Sequence, residues 1–125
     1  MKTVRIVGVP EHFNFPWQLT IDEGMFNEVG IDVDWTDVPE GTGKMCEMLR
    51  ENETDLAVIL TEGILKDIAN GNESVILQTF VQSPLQWGIH VNAESSYKTV
   101  DDLLGRTAAI TRYGSGSELL TYVNA

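Results

Sequence analysis

The run Leu56-Ala57-Val58-Ile59-Leu60 constrains this chain more than any other segment. It is far too short to span a membrane, and it has no polar face that would suit an amphipathic helix. A short, continuous, partly β-branched apolar run reads as a strand buried on both faces. Such strands belong to parallel sheets covered by helices on both sides. The flanks agree. Asp55 opens the strand, and Thr61 is placed to cap a helix whose inner face is Ile64, Leu65, Ile68 and Ala69. Gly71 then stops that helix.

The same alternation runs along the whole chain. Val4–Val9 reads as a first strand, and Pro16 suits the first turn of a helix striped by Trp17, Ile21 and Met25. Gly24 and Gly30 break that helix and return the chain to a second strand, Ile31–Val38. Gly41-Thr42-Gly43 opens a helix with Met45, Met48 and Leu49 on one face. Beyond the third strand, Ser74–Val81, Leu85–Val91 and Thr107–Thr111 predict three more strands. Thr99 and Asp102 have capping-box spacing before a short helix ending at Gly105, and Gly114-Ser115-Gly116-Ser117 leads into a last helix. The fold class expected is α/β, a three-layer lobe with a mixed, mostly parallel sheet.

At 125 residues there is room for one domain with a real core. A net charge of −11 argues against nucleic acid and anionic membrane surfaces as partners, and no segment predicts membrane insertion. It does not exclude a small anionic ligand, for which local donors matter more. Met1-Lys2 leads straight into a strand, so a cytoplasmic protein is expected, or a periplasmic or lipid-anchored one if a leader has been removed. Cys46 is the only cysteine and reads as a small buried filler. With His12 and His90 far apart, no metal-ligand spacing exists, and neither a metal nor a cofactor is expected. His90, Trp35 and Trp87 lie in strand-like runs and read as core, whereas Trp17 fits either core or cleft wall. Asn72-Glu73-Ser74 matches the short glycosylation pattern.

In an open α/β sheet, ligands gather beyond the carboxyl ends of the strands, where loops hand over to helix N-termini. Four loops fall there: Pro10–Phe15, Pro39–Gly43, Thr61–Gly63 and Thr111–Ser117. Glycines let a ligand approach the backbone, hydroxyls add donors, and free helix N–H groups suit an anionic group. The candidate ligand-binding residues are Glu11, His12, Phe13 and Asn14 in the first loop and Gly41, Thr42 and Gly43 in the second. Thr61 and Glu62 follow in the third, with Arg112, Gly114, Ser115 and Ser117 in the fourth. For the glycine loops the competing role is a tight turn with a capped helix, and for the first loop a plain surface segment. No residue is assigned a catalytic role.

The stretch Asp22-Glu23-Gly24-Met25-Phe26, continuing to Gly30-Ile31-Asp32-Val33, resembles one found in type 2 periplasmic binding proteins. The nearer group there serves nitrate, sulfonate, taurine and thiamine-precursor uptake. Thr99–Ile110 is similar to their segment that precedes the crossing into a second lobe. The resemblance implies a two-lobed clamp closing on a small anionic or heterocyclic ligand by hinge motion. On that basis residues 1–92 would form the first lobe. Residues 93–125 would complete it and begin a mostly absent second lobe, with crossings near Val91–Ala93 and Thr111–Gly114. It also implies a transporter permease as partner for an exported form, and a leaderless cytosolic branch of relatives. The same superfamily holds a cytosolic enzyme making the thiamine pyrimidine from bound pyridoxal phosphate and a histidine. On that alternative His12 would react and Lys44 or Lys66 would hold the aldehyde.

Overall fold

The computed structural model describes residues 1–125. Three parallel strands form its sheet: β1 (Lys2–Gly8), β2 (Ile31–Asp37) and β3 (Leu56–Val58), in the order β2-β1-β3. β1 is central, with Lys2 to Gly8 paired in register with Ile31 to Asp37 on one side and Ile6 to Gly8 paired with Leu56 to Val58 on the other. Ile6, Val7 and Gly8 are all buried, as a strand covered on both faces requires.

Between β1 and β2 lie a 3-10 turn (His12–Asn14), helix α1 (Phe15–Asp22) and the short helix α2 (Met25–Glu28). Gly24, at φ 71°, separates the two helices. Helix α3 (Thr42–Arg50) joins β2 to β3, and α4 (Thr61–Ala69) follows β3. The two crossovers run in opposite directions along the sheet. Since parallel crossovers are right-handed, they place α1–α2 and α3 on opposite faces, giving three layers. Side-chain packing matches this. Val7 joins Val38 and the α3 residue Met45 in a core flanked by Met48, Ala57 and Ile59. Gly8, its neighbour on the strand, faces Trp35 and Asn14 instead. On that second face Trp17 lies 5.9 Å, ring to ring, from each of Phe26, Trp35 and Phe80. Met45 is the most enclosed large side chain, and its removal from water is worth about 1.5–3 kcal/mol.

The second half of the chain departs from the sequence reading. Ser74–Val81, Leu85–Val91 and Thr107–Thr111 form no strands, so the sheet is wholly parallel rather than mixed. A β-branched run can form a strand only where another strand matches its N–H and C=O groups, and none is paired with these. Their side chains are correspondingly open. Trp87 is 49% and Val75 77% exposed, and His90 is exposed too, so Trp87 and His90 are not core residues. Trp35 is half-buried on β2. The capping box forms as expected: Asp102 accepts from the Thr99 and Lys98 N–H groups, opening a 3-10 turn (Val100–Leu103) rather than an α-helix. Thr61 is the first residue of α4, not its cap; Leu60 stands at the cap with no side-chain bond. The last helix, α5 (Gly116–Asn124), packs against α4. No helix is long and apolar enough to cross a membrane.

Candidate functional site

All three strands point the same way, so the turns that follow them leave from one edge of the sheet. Three of the four expected loops meet near that edge. The second and third come together at Gly63, where a Cβ would collide with the Thr42 methyl group. The fourth closes over both. Gly114 lies against Gly43, with the nearest atom 3.4 Å from where a Gly43 Cβ would be, and the Arg112 guanidinium packs directly on Gly41. Gly41 itself, at φ 78° and ψ −152°, occupies backbone space that is essentially closed to residues with a Cβ.

These contacts border an open cavity of about 230 Å³ lined by 14 residues, only two of them hydrophobic. Thr42, Gly43, Glu62, Gly114 and Ser115 of the expected residues line it. Gly41, Thr61, Arg112 and Ser117 flank it without lining it. The first loop stays outside: Glu11 and His12 are exposed, Phe13 is half-buried with its ring edge-on to His12, and none lines the cavity. Asn14 is buried, donating its amide to the Val9 carbonyl at 2.7 Å.

From the rim the cavity runs down the seam between α3 and α4. Thr42, Cys46 and Arg50 line it at successive intervals of four, as do Glu62, Lys66 and Asn70 opposite them. Eight residues of helix make this seam about 12 Å long. At its far end Arg50 pairs with Asp67, which also accepts the Asn72 amide at 2.6 Å. Asn72 is buried, and its carbonyl accepts the Ser74 N–H at 2.8 Å, which makes it a structural residue rather than a sugar acceptor. Cys46 is buried beside this pair. Burial, and then the negative charge of Asp67, push its thiol up to about 11. Reading the glycine loops alone could not find Cys46, Arg50, Lys66, Asp67 and Asn70. The signal was the four-residue spacing that continues each loop's polar face into its helix.

The helix ends differ in how they are finished. Neither α3 nor α4 has a side-chain cap, so their first-turn N–H groups are open at the rim. α5 is capped: Ser115 accepts from the Glu118 N–H at 3.2 Å, and Glu118 accepts from the Gly114 N–H at 2.7 Å. The rim can therefore offer backbone donors from two helices, hydroxyls from Thr42 and Ser115, and carboxylates from Glu62 and Glu118. That set suits hydrogen bonding to a small polar molecule. No group of His, Cys, Asp and Glu is placed to hold a metal ion.

Comparison with known proteins agrees with this architecture. A solved chain, the Candida albicans CA3427 gene product, is 36% identical and superimposes with a TM-score of 0.55. It is described as defining a new family of proteins exhibiting the generic periplasmic binding protein structural fold. The match covers 58% of this chain and 24% of that one, so this chain spans about a quarter of its solved relative. No curated protein matches. The family model described as NMT1/THI5 like matches residues 15–124, nearly the whole sequence. With that match and the periplasmic-binding-protein-like α/β fold in agreement, the chain belongs to the NMT1/THI5-like family.

Proposed function

We propose that this protein holds a small anionic or heterocyclic ligand at the rim formed by the N-termini of α3, α4 and α5, as a solute-binding protein does. The observation that carries the reading is the meeting of two uncapped helix N-termini with the Gly114–Ser115 turn over a polar cavity. Open N–H groups and hydroxyls converging on one volume supply the few placed polar contacts that fix a small ligand. The cavity, at about 230 Å³, falls below the roughly 300 Å³ at which drug-sized sites begin. It suits a small molecule, or one wall of a cleft whose other wall is a second lobe. In an exported form, the closed and loaded protein is what a transporter permease would receive.

The enzyme alternative lacks a comparable arrangement. His12 stands outside the cavity that Lys66 lines, and Lys44 is engaged with Glu47 at 3.2 Å. A thermal-shift screen with sulfonates, carboxylates and pyrimidines tests the binding reading. A ligand at a hundred times its Kd adds about 2.7 kcal/mol of stability. At least one class is expected to raise the melting temperature of the wild type and to do so less for Ser115→Ala. No response from any class contradicts the reading.

A further inference from the structure

Among the charged groups of the cavity, Glu62 alone has an oxygen shut off from solvent with no hydrogen-bond donor. Its Oε1 lies against Gly116, 2.9 Å from where a Cβ would be. Apart from Lys66, the other charges here are matched within the protein. Arg50 pairs with Asp67, Asp67 also takes the Asn72 amide, and Glu118 takes the Gly114 N–H. Lys66 is one turn along α4 from Glu62, a spacing that commonly forms an ion pair, yet no pair forms between them. Glu62 as a whole is half-buried, but a carboxylate oxygen shut off from water without a donor is unfavourable unless a donor arrives from elsewhere.

The charge around Glu62 selects the kind of donor. With the Arg50–Asp67 pair set aside as matched, carboxylates Glu62 and Glu118 line the cavity against the single cation Lys66, an excess of one negative charge. An anionic group brought to the first turn of α5 would meet Glu62 beside Gly116 and Glu118 within that same turn. From these contacts we infer that the ligand presents a protonated nitrogen, of alkylammonium or amidinium type, to the Glu62 carboxylate. The inference rests on the reading of the cavity as a ligand site and departs from it in charge, replacing a simple anion by a ligand that carries a basic nitrogen, heterocyclic or not. A charge-assisted N–H bond to Glu62 supplies the missing donor and balances the excess carboxylate.

Three probes with the same carbon tail separate the cases: propylammonium, propionate and propane-1-sulfonate, titrated at constant ionic strength with the melting temperature as readout. Propylammonium is expected to stabilise the wild type, and Glu62→Gln to weaken its apparent Kd about tenfold, the loss of one charge-assisted bond. Glu28→Gln, at an exposed carboxylate of α2 outside the cavity, is expected to leave that Kd unchanged. Stabilisation by propionate or propane-1-sulfonate without propylammonium overturns the inference and leaves the cavity as a ligand site. Stabilisation by propylammonium that is equal in wild type and Glu62→Gln also overturns it. If none of the three probes acts and the broader screen is silent too, the binding reading fails with it. Should Glu62→Gln not fold, Glu62→Asp keeps the charge but shortens its reach and must bind propylammonium more weakly; equal affinity overturns the inference.

Discussion

Gly41 sets the geometry of the rim through its backbone. At φ 78° and ψ −152° it turns the chain from β2 into α3, and the Arg112 guanidinium fills the space a side chain would take. Gly41→Ala is expected to lower stability by about 1–3 kcal/mol, read from the denaturant midpoint, because alanine is strained at these angles and displaces Arg112. An unchanged midpoint would contradict this account of the turn. Cys46 makes a second residue-scale prediction. With its thiol raised to about 11 by burial and Asp67, it is expected to resist a thiol reagent at mildly alkaline pH in the folded protein and to react at once in denaturant. Rapid labelling of the folded protein would contradict it. At this scale the sequence was legible where residue chemistry is local: Gly41, Thr42, Gly114 and Ser115 could be named because glycines admit close approach and hydroxyls offer hydrogen bonds. Glu62 could be named from its loop, but its missing partner could not, since that depends on where Gly116 and Lys66 come to rest in three dimensions.

The elements are tied together most tightly at the start of β3. Arg5 of β1 grips Asp55 through its guanidinium at 2.8 Å and its backbone N–H at 2.9 Å, and it also donates to the Asn52 carbonyl at 2.9 Å. The hydrogen bonds from Arg5, side chain first, lower Asp55 from 3.8 to about 2. A carboxyl with a depressed folded pKa stabilises the fold above its unfolded value and loses that contribution as pH falls through the folded one. Asp55→Asn is therefore expected to melt below wild type at neutral pH, with the gap closing between pH 3.8 and about 2. A gap that persists unchanged below pH 2 would contradict the assignment. Elements were legible where the pattern carried its own partners. β1, β2 and β3 are linked by short helical crossovers that bring them side by side, so apolar runs became strands. Ser74–Val81 shows the opposite case: its β-branched pattern gives a face but not a neighbour, and Val75, Ile76 and Leu77 stand exposed.

For the molecule as a whole, fold class followed from alternation and crossover handedness, which fix layers before any contact is known. The site followed less fully. Parallel strands put the loops after them at one edge, yet the first loop stays out of the cavity, while the seam between α3 and α4 extends it in a direction the loops alone did not indicate. The central claim is that the α3, α4 and α5 N-termini form one binding rim. Amide chemical-shift mapping tests it most directly, using the compound that most raises the melting temperature in the screen. The account predicts the largest shifts at Gly43, Gly63, Ser115 and Gly116, together and with a single Kd. Shifts confined to the His12–Asn14 turn, or scattered over the sheet's far edge, would contradict it.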